Sequence, residues 1–525
     1  MPAGFLCADF DRLSLPIGHF DGSNPAQRAM MVHELTGIHK QNCLQCRKLP
    51  NRRVRRFIHT KRISMQLDRS IFKAYDIRGI VGKTLTEDVV RSVGEVLGTW
   101  AARKGIQTMC VGRDGRLSGP SLSAALMQGI VSAGVNVKDI GMQPTPVLYF
   151  ATHHFGCGSG VAVTGSHNPS EYNGLKMMLG GLTLFGHEIA AIADAIEAGD
   201  VIKADVPGTI ETVDVTPAYL EKICGNVKLA RRMKVAVDCG NGVAGPLAAR
   251  LFEGLGADIE PLYFEIDGNF PHHHPDPSKP ANLNDLIRAV QAGDAELGLA
   301  FDGDADRLGV VTRSGNIIYP DRQMMLFAED ILKHHPGAQI IYDVKCTRAL
   351  VPWIRERGGV PTISATGHSL VKARLRETGA PFAGEMSGHL FFNDGRWPGF
   401  DDGLYAAARL LEILSRSDNP SAVLDALPTA VNTPELHIEF AKEGENKAFI
   451  EKLRQAAKFD DAEDVILIDG LRVEFKDGFA LARSSNTTPV AVIRVEGDTP
   501  EALERIKECF AAFILSVDPT VKLPF

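Results

Sequence analysis

Three aspartates alternate with small residues behind an apolar run, in a pattern that can hold a metal ion. Asp302, Asp304 and Asp306 stand at positions i, i+2 and i+4 after the run Leu297–Phe301. Carboxylates at this spacing in a turning chain can converge on one hard cation, and they repel one another when no cation is bound. Mg²⁺ suits such a site because it takes few protein carboxylates and keeps positions open for water or phosphate. A calcium-binding EF-hand loop is excluded, since its sixth position requires Gly and is Arg307.

The second candidate is the serine of the segment TGSHNP, residues 164–169. This segment follows the apolar run 161–163, so Ser166 is expected on a loop at the carboxyl end of a strand, where ligands bind in open α/β sheets. Gly165 is expected to let the backbone turn sharply and approach a ligand. From these residues alone, a polar turn with a spectator serine explains the pattern as well.

Two more polar loops follow along the chain. The segment GEMSGH, residues 384–389, alternates small residues with Glu385, Ser387 and His389, which suits hydrogen bonding to hydroxyl groups and proton transfer. The segment RSSNTTP, residues 483–489, combines one cation with hydroxyl and backbone donors, which suits a bound dianion. Taken singly, each loop is equally well explained as a solvated turn.

A strand–helix–strand unit occurs three times and supplies the frame for these loops. The copies are residues 108–137, 234–260 and 339–364. Each copy begins with an apolar run that ends in or near an aspartate, and its helix is closed by a glycine. The aspartates are Asp114, Asp238 and Asp343, and the glycines are Gly134, Gly256 and Gly359. Such crossovers build parallel or mixed sheets, and aspartates 124 and 105 residues apart indicate units of domain size.

The C-terminal part has another pattern. Four short strands are predicted at 436–440, 465–468, 472–475 and 490–495, with helices at 446–458 and 500–515, and residues 418–434 are predicted to be a linker. The fold class is therefore α/β, with three tandem similar α/β domains that have mixed sheets, followed by a C-terminal α+β domain. We predict domain I at 65–213 with the Ser166 loop, domain II at 214–316 with the acidic loop, domain III at 317–428 with the Glu385 loop and domain IV at 429–525 with the Arg483 loop.

Composition excludes several classes of protein. The 525 residues carry a formal charge of −7, which argues against a nucleic-acid binder held by bulk electrostatics. The sequence has no run of about 18 apolar residues that would span a membrane. Nine cysteines are too sparse for a disulfide scaffold and fit a reducing cytoplasm.

Residues 1–64 differ from the rest of the chain. No acidic residue occurs from position 37 to position 67, and residues 52–62 form a strongly basic run. The segment shows no periodic apolar face. Cys43 and Cys46 lack a second pair at zinc spacing. We predict that these residues are a disordered or non-native N-terminal extension.

Two motifs suggest other functions and are set aside. The segment Gly240–Gly245 is a complete G-x-G-x-x-G after a strand, as in dinucleotide-binding proteins. Asp238 would then face the pyrophosphate, and the loop occupies the same place as the corresponding loops of the two sister units, so a shared architectural cause is simpler. The run of three histidines at 272–274 is predicted to be a structured loop rather than a zinc site.

The four motifs TGSHNP, DGDADR, GEMSGH and RSSNTTP, in this order and in four successive domains, resemble those of the α-D-phosphohexomutases. The resemblance extends from about residue 70 to residue 525, and the Glu-Met-Ser centre resembles that of the bacterial enzymes acting on mannose and glucose phosphates. Ala305 departs from the glycine common in those enzymes. We expect this methyl group to be tolerated if the backbone angles there are ordinary.

The resemblance implies an Mg²⁺-dependent phosphohexomutase. It would interconvert hexose 1-phosphate and hexose 6-phosphate, of mannose and/or glucose, through a phosphoserine and a hexose 1,6-bisphosphate that also serves as activator. The implied catalytic residues are Ser166, Lys176, Arg307, His389 and Arg78. The implied substrate-binding residues are Tyr75, Lys345, His368, Glu385, Ser387, Arg483, Ser485, Asn486 and Thr487. The implied ligands of one Mg²⁺ are Ser166, Asp302, Asp304 and Asp306. The implied partners are small sugar phosphates, with no nucleic acid or membrane, for a cytoplasmic monomer.

Three other functions remain open from the sequence. A phosphatase could use Ser166 or one of the aspartates as nucleophile, and would release inorganic phosphate at the rate of isomerisation. A nucleotide-dependent oxidoreductase would bind NAD through Gly240–Gly245. A non-catalytic sugar-phosphate-binding protein would carry no phosphate on Ser166.

A chain that starts at Met65 is expected to keep the melting temperature and the turnover of the full-length chain. The reason is that residues 1–64 show no apolar periodicity and lie outside the resemblance. Thermal unfolding and activity of the two chains, measured side by side, check this expectation. A clear drop in melting temperature or an inactive truncated chain would show that the extension packs on the body.

Overall fold

The computed structural model describes residues 67–525, except residues 443, 486 and 487. Two short 3-10 helices, Arg69–Ile71 and Pro280–Leu283, accompany fourteen α-helices and twenty-two strands within these residues. Four sheets organise them, and we call the sheets with their helices units I to IV. In the described residues, no helix is both long enough and apolar enough to cross a membrane.

Unit I contains one sheet of seven strands. Its elements are β1 (Ile77–Ile80), α1 (Glu87–Arg103), β2 (Thr108–Arg113), α2 (Gly119–Ser132), β3 (Asn136–Met142), α3 (Thr145–His154), β4 (Gly160–Val163), β5 (Tyr172–Leu179), β6 (Leu182–Thr183), α4 (His187–Ala198) and β7 (Ile210–Thr212). The strand order is β1-β5-β4-β2-β3-β7, with β6 paired to β5.

Units II and III have smaller sheets. Unit II consists of α5 (Thr216–Asn226), β8 (Lys234–Asp238), α6 (Gly245–Gly254), β9 (Asp258–Leu262), α7 (Asn284–Ala292), β10 (Leu297–Phe301), β11 (Leu308–Thr312) and β12 (Ile317–Ile318). Unit III consists of α8 (Pro320–His334), β13 (Gln339–Asp343), α9 (Leu350–Glu356), β14 (Val360–Ser364), α10 (His368–Thr378), β15 (Phe382–Gly384), β16 (Leu390–Phe392), α11 (Gly403–Leu414) and α12 (Pro420–Asp425). The strand orders are β12-β11-β10-β8-β9 and β14-β13-β15-β16.

The three sheets share one arrangement, which confirms the predicted repeat. The repeat begins at β2, β8 and β13, and this strand lies between the next two strands of its unit and is parallel to both. An antiparallel fourth strand of the repeat pairs with the third. The fourth strands are β5, β11 and β16. The sheets are therefore mixed, as predicted, and the loop after each third strand lies at the carboxyl end of the parallel strands, where ligands bind.

Two of the three predicted helix-closing glycines are in the left-handed conformation that favours glycine. Gly134 and Gly256 each have φ of 83° just beyond α2 and α6. In the third unit the prediction of Gly359 was wrong, because Gly358 takes this conformation with φ of 75°. Gly359 is needed for space instead, since a Cβ there would lie 2.7 Å from a methyl carbon of Leu332.

Unit IV is an antiparallel sheet with two helices. Its elements are β17 (Val431–Asn432), β18 (Leu436–Glu439), α13 (Glu445–Ala456), β19 (Ala462–Ile466), β20 (Leu471–Phe475), β21 (Gly478–Ser484), β22 (Val490–Gly497) and α14 (Pro500–Val517). As predicted, α14 begins after Thr499, whose side chain accepts a hydrogen bond from the amide of Ala502. Sequence reasoning missed β21, because its residues are buried on both faces and show no alternation of polar and apolar side chains.

The predicted linker at 418–434 is partly structured, so that prediction was wrong. It contains α12, whose start is capped by the side chain of Asn419 and whose Leu424 is fully buried. It also contains β17, which pairs with β22. The domain boundaries themselves remain predictions.

The apolar core is continuous across three units. Residues of α3 pack in one cluster with residues of units II and III, whereas unit IV has a core of its own. A small apolar contact of Val344 with Phe479 and Leu481 joins unit IV to unit III. The loops that carry the candidate motifs are thus held by a shared scaffold, while the Arg483 loop belongs to a unit with a separate core.

Candidate active site

The loop of Ser166 joins β4 to the antiparallel β5 and is held by a buried arginine. The guanidinium of Arg116 donates to the carbonyl oxygens of Ser166 at 2.8 Å, Asn168 at 2.7 Å and Pro169 at 2.6 Å. Arg116 is itself fixed by Asp114, the aspartate that follows β2. Because one cation binds so many carbonyl groups, the loop is fixed before any ligand arrives.

The sharp turn in this loop is made by Ser166 and not by Gly165, so the prediction for Gly165 needs correction. Ser166 has φ of 49°, which is uncommon for a residue with a side chain. A Cβ on Gly165 would lie 2.5 Å from the guanidinium carbon of Arg116. Gly165 is therefore required by the close approach of Arg116, and the strained residue is the candidate nucleophile itself.

Ser166 faces a histidine and the acidic loop. Its Oγ lies 3.0 Å from Nδ1 of His167 and donates to Oδ2 of Asp302 at 3.1 Å. Burial lowers the pKa of His167 well below its usual value, and the cations Arg307 and Arg78 lower it further. The imidazole of His167 is therefore neutral near Ser166.

The acidic loop follows β10, and its three aspartates are fully buried. Carboxylate oxygens of Asp302, Asp304 and Asp306 lie within 4.8 Å of one another. Lys176, on β5, places its Nζ 2.7 Å from Asp304 and 2.5 Å from Asp306. Among the described residues, Oδ1 of Asp304 and Oδ1 of Asp306 have no hydrogen-bond partner. Buried, unpartnered carboxylate oxygens that converge in this way fit a hard divalent cation.

Charges in the cluster act strongly on one another. Burial and the neighbouring Asp306 and Asp304 raise the pKa of Asp302 well above its usual value. Burial also opposes ionisation of Asp304, but Lys176 outweighs it and lowers the pKa of that carboxyl. For Lys176 the effect of burial is outweighed by the aspartates, so its pKa is raised and its ammonium group stays charged.

Ala305 stands at the tip of the acidic loop with φ of 59° and is fully buried. Ordinary backbone angles were the condition on which this methyl group was expected to be tolerated, and that condition is not met. A left-handed alanine costs about 1–2 kcal/mol. The loop keeps the conformation because it is tied to its neighbours, for example by the amide of Thr145, which donates to the carbonyl oxygen of Asp304 at 3.0 Å.

His389 lies between Arg307 and a buried aspartate. Nε of Arg307 donates to Nε2 of His389 at 3.1 Å, which places the imidazole proton on Nδ1. Nδ1 lies 2.9 Å from Oδ2 of Asp401, and the other oxygen of Asp401 accepts from Lys372 at 2.9 Å. Asp306, His389 and Asp401 could geometrically hold a metal ion, but a proton on Nδ1 of His389 argues against that.

The loop after β15 carries Glu385 and Ser387. One carboxylate oxygen of Glu385 accepts from the amide of Gly367 at 2.7 Å, and the other accepts from the hydroxyl of Ser387 at 2.9 Å. Burial raises the pKa of Glu385. Both side chains face the same cleft as Ser166.

The other predicted binding residues form a wall with cations. Nζ of Lys345 lies 2.8 Å from Oε1 of Glu435, and Nε of Arg483 donates to Oδ2 of Asp469 at 2.9 Å. The hydroxyl of Tyr75 donates to the carbonyl oxygen of Thr366 at 2.7 Å, and the ring of His368 lies edge-on to that of Tyr75. Ser485 accepts from Thr488, whereas Asn486 and Thr487 lie outside the described residues.

Arg78 completes the wall beside the Ser166 loop. Its Nη1 donates to the side-chain oxygen of Asn168 at 2.5 Å, and its Nη2 forms an ion pair with Asp76. Arg78 follows the first residue of β1, which pairs with β5, so the sheet of unit I carries Arg78, Ser166 and Lys176 on neighbouring strands and loops.

One cleft of about 1360 Å³ brings these side chains together. All four units contribute to its walls. The predicted site residues that line it are Tyr75, Arg78, Ser166, Lys176, Arg307, Lys345, His368, Glu385, Ser387, His389, Arg483 and Ser485. The three aspartates are buried next to Ser166. A cleft with an acidic cluster at one end and cations along its walls can bind a metal ion and phosphate groups together.

Five residues that sequence reasoning missed support this site through contacts that are distant in sequence, and two of these contacts, those of Thr145 and Glu435, join different units. Thr145 donates its hydroxyl to Asp304 at 2.5 Å, and Asp401 faces His389. Arg116 fixes the Ser166 loop, and Glu435 and Asp469 pair with the cations of the wall. Arg116 stands two residues after Asp114, the aspartate of the first repeat, but the other four carry no local signal.

The two motifs set aside have structural explanations. The glycine-rich segment Gly240–Gly245 packs against the acidic loop, and a Cβ at Gly242 would lie 3.0 Å from the carbonyl oxygen of Gly303. The three histidines bind separately: His272 contacts Asn241 at 2.7 Å, His273 contacts Asp238 at 3.0 Å, and His274 contacts the carbonyl of His167. Because each histidine has a different partner, the three side chains stabilise a structured loop, as predicted, and do not converge on one metal ion.

Comparison with known families gives one match for each unit. Residues 69–203, 217–315 and 319–431 match the models of phosphoglucomutase/phosphomannomutase alpha/beta/alpha domains I, II and III. Residues 439–513 match the C-terminal domain of the same family. The chain belongs to the phosphoglucomutase/phosphomannomutase family and is an enzyme of the mutase type of phosphotransferase.

Similar proteins match most of this chain. A phosphoglucomutase of Neisseria gonorrhoeae is 56% identical over 450 residues, which are 86% of this chain and 98% of the relative. A phosphomannomutase/phosphoglucomutase of Pseudomonas aeruginosa is 51% identical over 460 residues, 87% of this chain and 98% of the relative. The crystal structure of a phosphoglucomutase/phosphomannomutase family protein from Burkholderia thailandensis has a TM-score of 0.84 and 56% identity, and covers 88% of this chain and 100% of its own.

Proposed function

We propose that this enzyme interconverts hexose 1-phosphate and hexose 6-phosphate, of mannose and/or glucose, with Ser166 as the phosphoryl carrier. One observation carries the proposal. The hydroxyl of Ser166 lies 3.1 Å from the buried acidic cluster, at the edge of a cleft that also holds Lys345 and Arg483. A phosphoryl group on Ser166 would thus meet the acidic cluster on one side and a phosphorylated sugar on the other.

In the first transfer, a free hydroxyl of the sugar phosphate attacks the phosphorus of phosphorylated Ser166. The new P–O bond forms to the sugar as the bond to Oγ of Ser166 breaks, which yields a hexose 1,6-bisphosphate and a free serine. The attacking hydroxyl loses one proton and Oγ of Ser166 gains one, so the transfer is neutral in protons overall. His389 is the candidate acceptor of the hydroxyl proton once Arg307, which donates to its Nε2 here, turns to the phosphoryl oxygens. In the second transfer, Ser166 takes the other phosphoryl group from the bisphosphate by the reverse chemistry.

Lys176 and Arg307 are placed to stabilise the oxygens of the transferring group. Both side chains lie at the acidic cluster, and Nε of Arg307 is 3.7 Å from Oδ2 of Asp302. Phosphoryl transfer needs positioned positive charge more than covalent help from the protein. Arg78, fixed by Asp76 and Asn168, is a third cation on this side of the cleft.

Asp302, Asp304, Asp306 and Ser166 would hold one Mg²⁺. When bound, the cation neutralises negative charge that develops on the transferring phosphoryl group. Glu385 and Ser387 would bind hydroxyls of the sugar, while Lys345, Arg483, Ser485, Asn486 and Thr487, with Tyr75 and His368, would hold the phosphate that does not react.

A hexose 1,6-bisphosphate would serve as activator, because it restores phosphate to a serine that has lost it. We further propose a cytoplasmic monomer whose partners are small sugar phosphates. Six cysteines among the described residues are free thiols, which supports a reducing compartment.

A coupled assay tests the proposed function. Glucose 1-phosphate and mannose 1-phosphate are each supplied with Mg²⁺ and a catalytic amount of hexose 1,6-bisphosphate, and formation of the 6-phosphate is followed. Mass spectrometry of the intact protein should show one phosphoryl group that maps to Ser166. Release of inorganic phosphate as fast as isomerisation would identify a phosphatase instead.

Replacement of Arg483 by alanine is expected to lower kcat/KM about ten- to a hundredfold for both hexose phosphates, mainly through KM. A charged contact to phosphate contributes about 1.5–3 kcal/mol, and both substrates share the phosphate. The same loss is expected in both reaction directions, because the same residues would hold the 1-phosphate in one direction and the 6-phosphate in the other.

The measurement is kcat/KM for glucose and mannose phosphates, forward and reverse. Arg454→Ala on the exposed face of α13 is a matched control that should leave kinetics unchanged. A defect confined to one sugar or to one direction would mean that Arg483 reads the hexose and not the phosphate.

A further inference from the structure

Both cations assigned to the non-reacting phosphate already have a carboxylate partner within the chain. Lys345 comes from the loop after β13 in unit III, and its partner Glu435 precedes β18 in unit IV. Arg483 and its partner Asp469 both belong to unit IV. A phosphate group that binds these cations therefore has to share them with, or take them from, two internal anions.

The two carboxylates are held differently. Oδ2 of Asp469 accepts from Arg483 at 2.9 Å and from the amide of Thr366 at 3.0 Å, and its side chain is 15% exposed. The side chain of Glu435 is 40% exposed, lines the cleft, and has Lys345 as its hydrogen-bond partner among the described residues. Asp469 is thus held by two donors, whereas Glu435 is held by one hydrogen bond and its side chain is partly exposed.

We propose that Glu435 is an internal competitor for the non-reacting phosphate, which occupies Lys345 while the phosphate is away and gives it up when the phosphate binds. This inference rests on the mutase function proposed above, and it adds a residue that controls how tightly the cleft retains its ligands.

Physical reasons favour an exchange over simultaneous binding. A sugar phosphate carries nearly two negative charges at neutral pH, and a carboxylate a few ångströms away would repel it. Lys345 is only 7% exposed, and a buried ammonium group without an anion is unfavourable. With Glu435 available, Lys345 is paired both before the phosphate arrives and after it leaves.

The exchange suits a mutase in particular. Between the two transfers, the bisphosphate intermediate has to release one of its phosphates from Lys345 and Arg483 and then bind these cations with the other phosphate. Binding that is too tight would therefore slow every turnover. Glu435 lowers the free energy of the state in which no phosphate is bound to Lys345. It therefore weakens retention of the intermediate without removing any contact from the bound complex.

Glu435→Gln, which removes the charge and keeps the shape, tests the proposal. The expected result is a KM for glucose 1-phosphate about three- to fivefold lower, because the competing charge is gone while Lys345 remains. Inhibition by inorganic phosphate should strengthen by a similar factor. Turnover at saturation should fall, since release of the intermediate's phosphate from Lys345 becomes slower.

The sign of the change in KM decides between two roles. If Glu435 instead held Lys345 in place for the substrate, the same variant would raise KM and weaken inhibition by inorganic phosphate, which would overturn the proposal. Unchanged constants would overturn it too. Glu439→Gln, on the exposed side of β18, is the matched control and should keep wild-type constants. Wild-type enzyme that lacks mutase activity would refute the proposed function, whereas active wild type with an unaltered variant refutes only the role of Glu435.

Discussion

Ser166→Ala is expected to lower turnover at least about a thousandfold, because the alanine side chain has no oxygen to carry the phosphoryl group. The methyl group fits the same left-handed backbone, and the carbonyl of residue 166 still accepts from Arg116, so the fold should persist. Steady-state turnover with excess hexose 1,6-bisphosphate, together with intact mass after incubation, measures both the lost activity and the lost phosphorylation.

Ser170→Ala provides a control in the same loop. Ser170 is exposed and lies four residues beyond Ser166. This variant should keep both the phosphoryl group and the activity. Wild-type turnover in a folded Ser166→Ala protein would show that phosphoryl transfer proceeds through another group.

Asp304→Asn is expected to raise the Mg²⁺ concentration for half-maximal activity at least about tenfold and to slow transfer about a hundredfold or more. One of three clustered negative charges is lost, and the unpartnered Oδ1 of Asp304 can be replaced by an amide that repels a cation. KM for the sugar phosphate should change much less, because Lys345 and Arg483 bind the other end of the substrate in our proposal.

A second measurement separates metal binding from activity. Bound Mg²⁺ should raise the melting temperature of the wild-type protein, and this increase should shrink in Asp304→Asn. Asp294→Asn, at an exposed ion pair with Lys234, is the control for the same chemical change. An unaltered dependence of both rate and melting temperature on Mg²⁺ would argue against Asp304 as a ligand.

The repeated unit was predictable because local patterns specify it. Each copy has an apolar strand, an aspartate at or near the end of that strand, and a helix. The sheets confirm that the copies share one strand order. The missed strand β21 shows the limit of such patterns. Its inner face meets the helices of unit IV, and on the other face Phe479 and Leu481 meet Val344 of unit III, so burial on both sides erases the alternation.

The motif residues were predictable, but their conformations were not. The backbone angle of Ser166 depends on Arg116, fifty residues earlier, and the angle of Ala305 depends on contacts from unit I. Asp401 and Glu435 have no motif around them. They became visible only when the fold placed them against His389 and Lys345. Long-range contacts of this kind leave no periodicity for a single sequence to reveal.

The packing of the glycine-rich loop on the acidic loop has a consequence for pattern searches. A Cβ at Gly245 would lie 1.9 Å from the carbonyl oxygen of Phe264, and one at Gly242 would meet Gly303. Both glycines are thus required by crossings of the main chain, and the same spacing arises without any nucleotide. A search for the dinucleotide fingerprint therefore matches this chain at a loop whose glycines have a packing role. Asp238, two residues before Gly240, accepts a hydrogen bond from the amide of Gly240 at 2.8 Å, so a carboxylate takes up a backbone donor that a dinucleotide-binding loop would offer to a pyrophosphate.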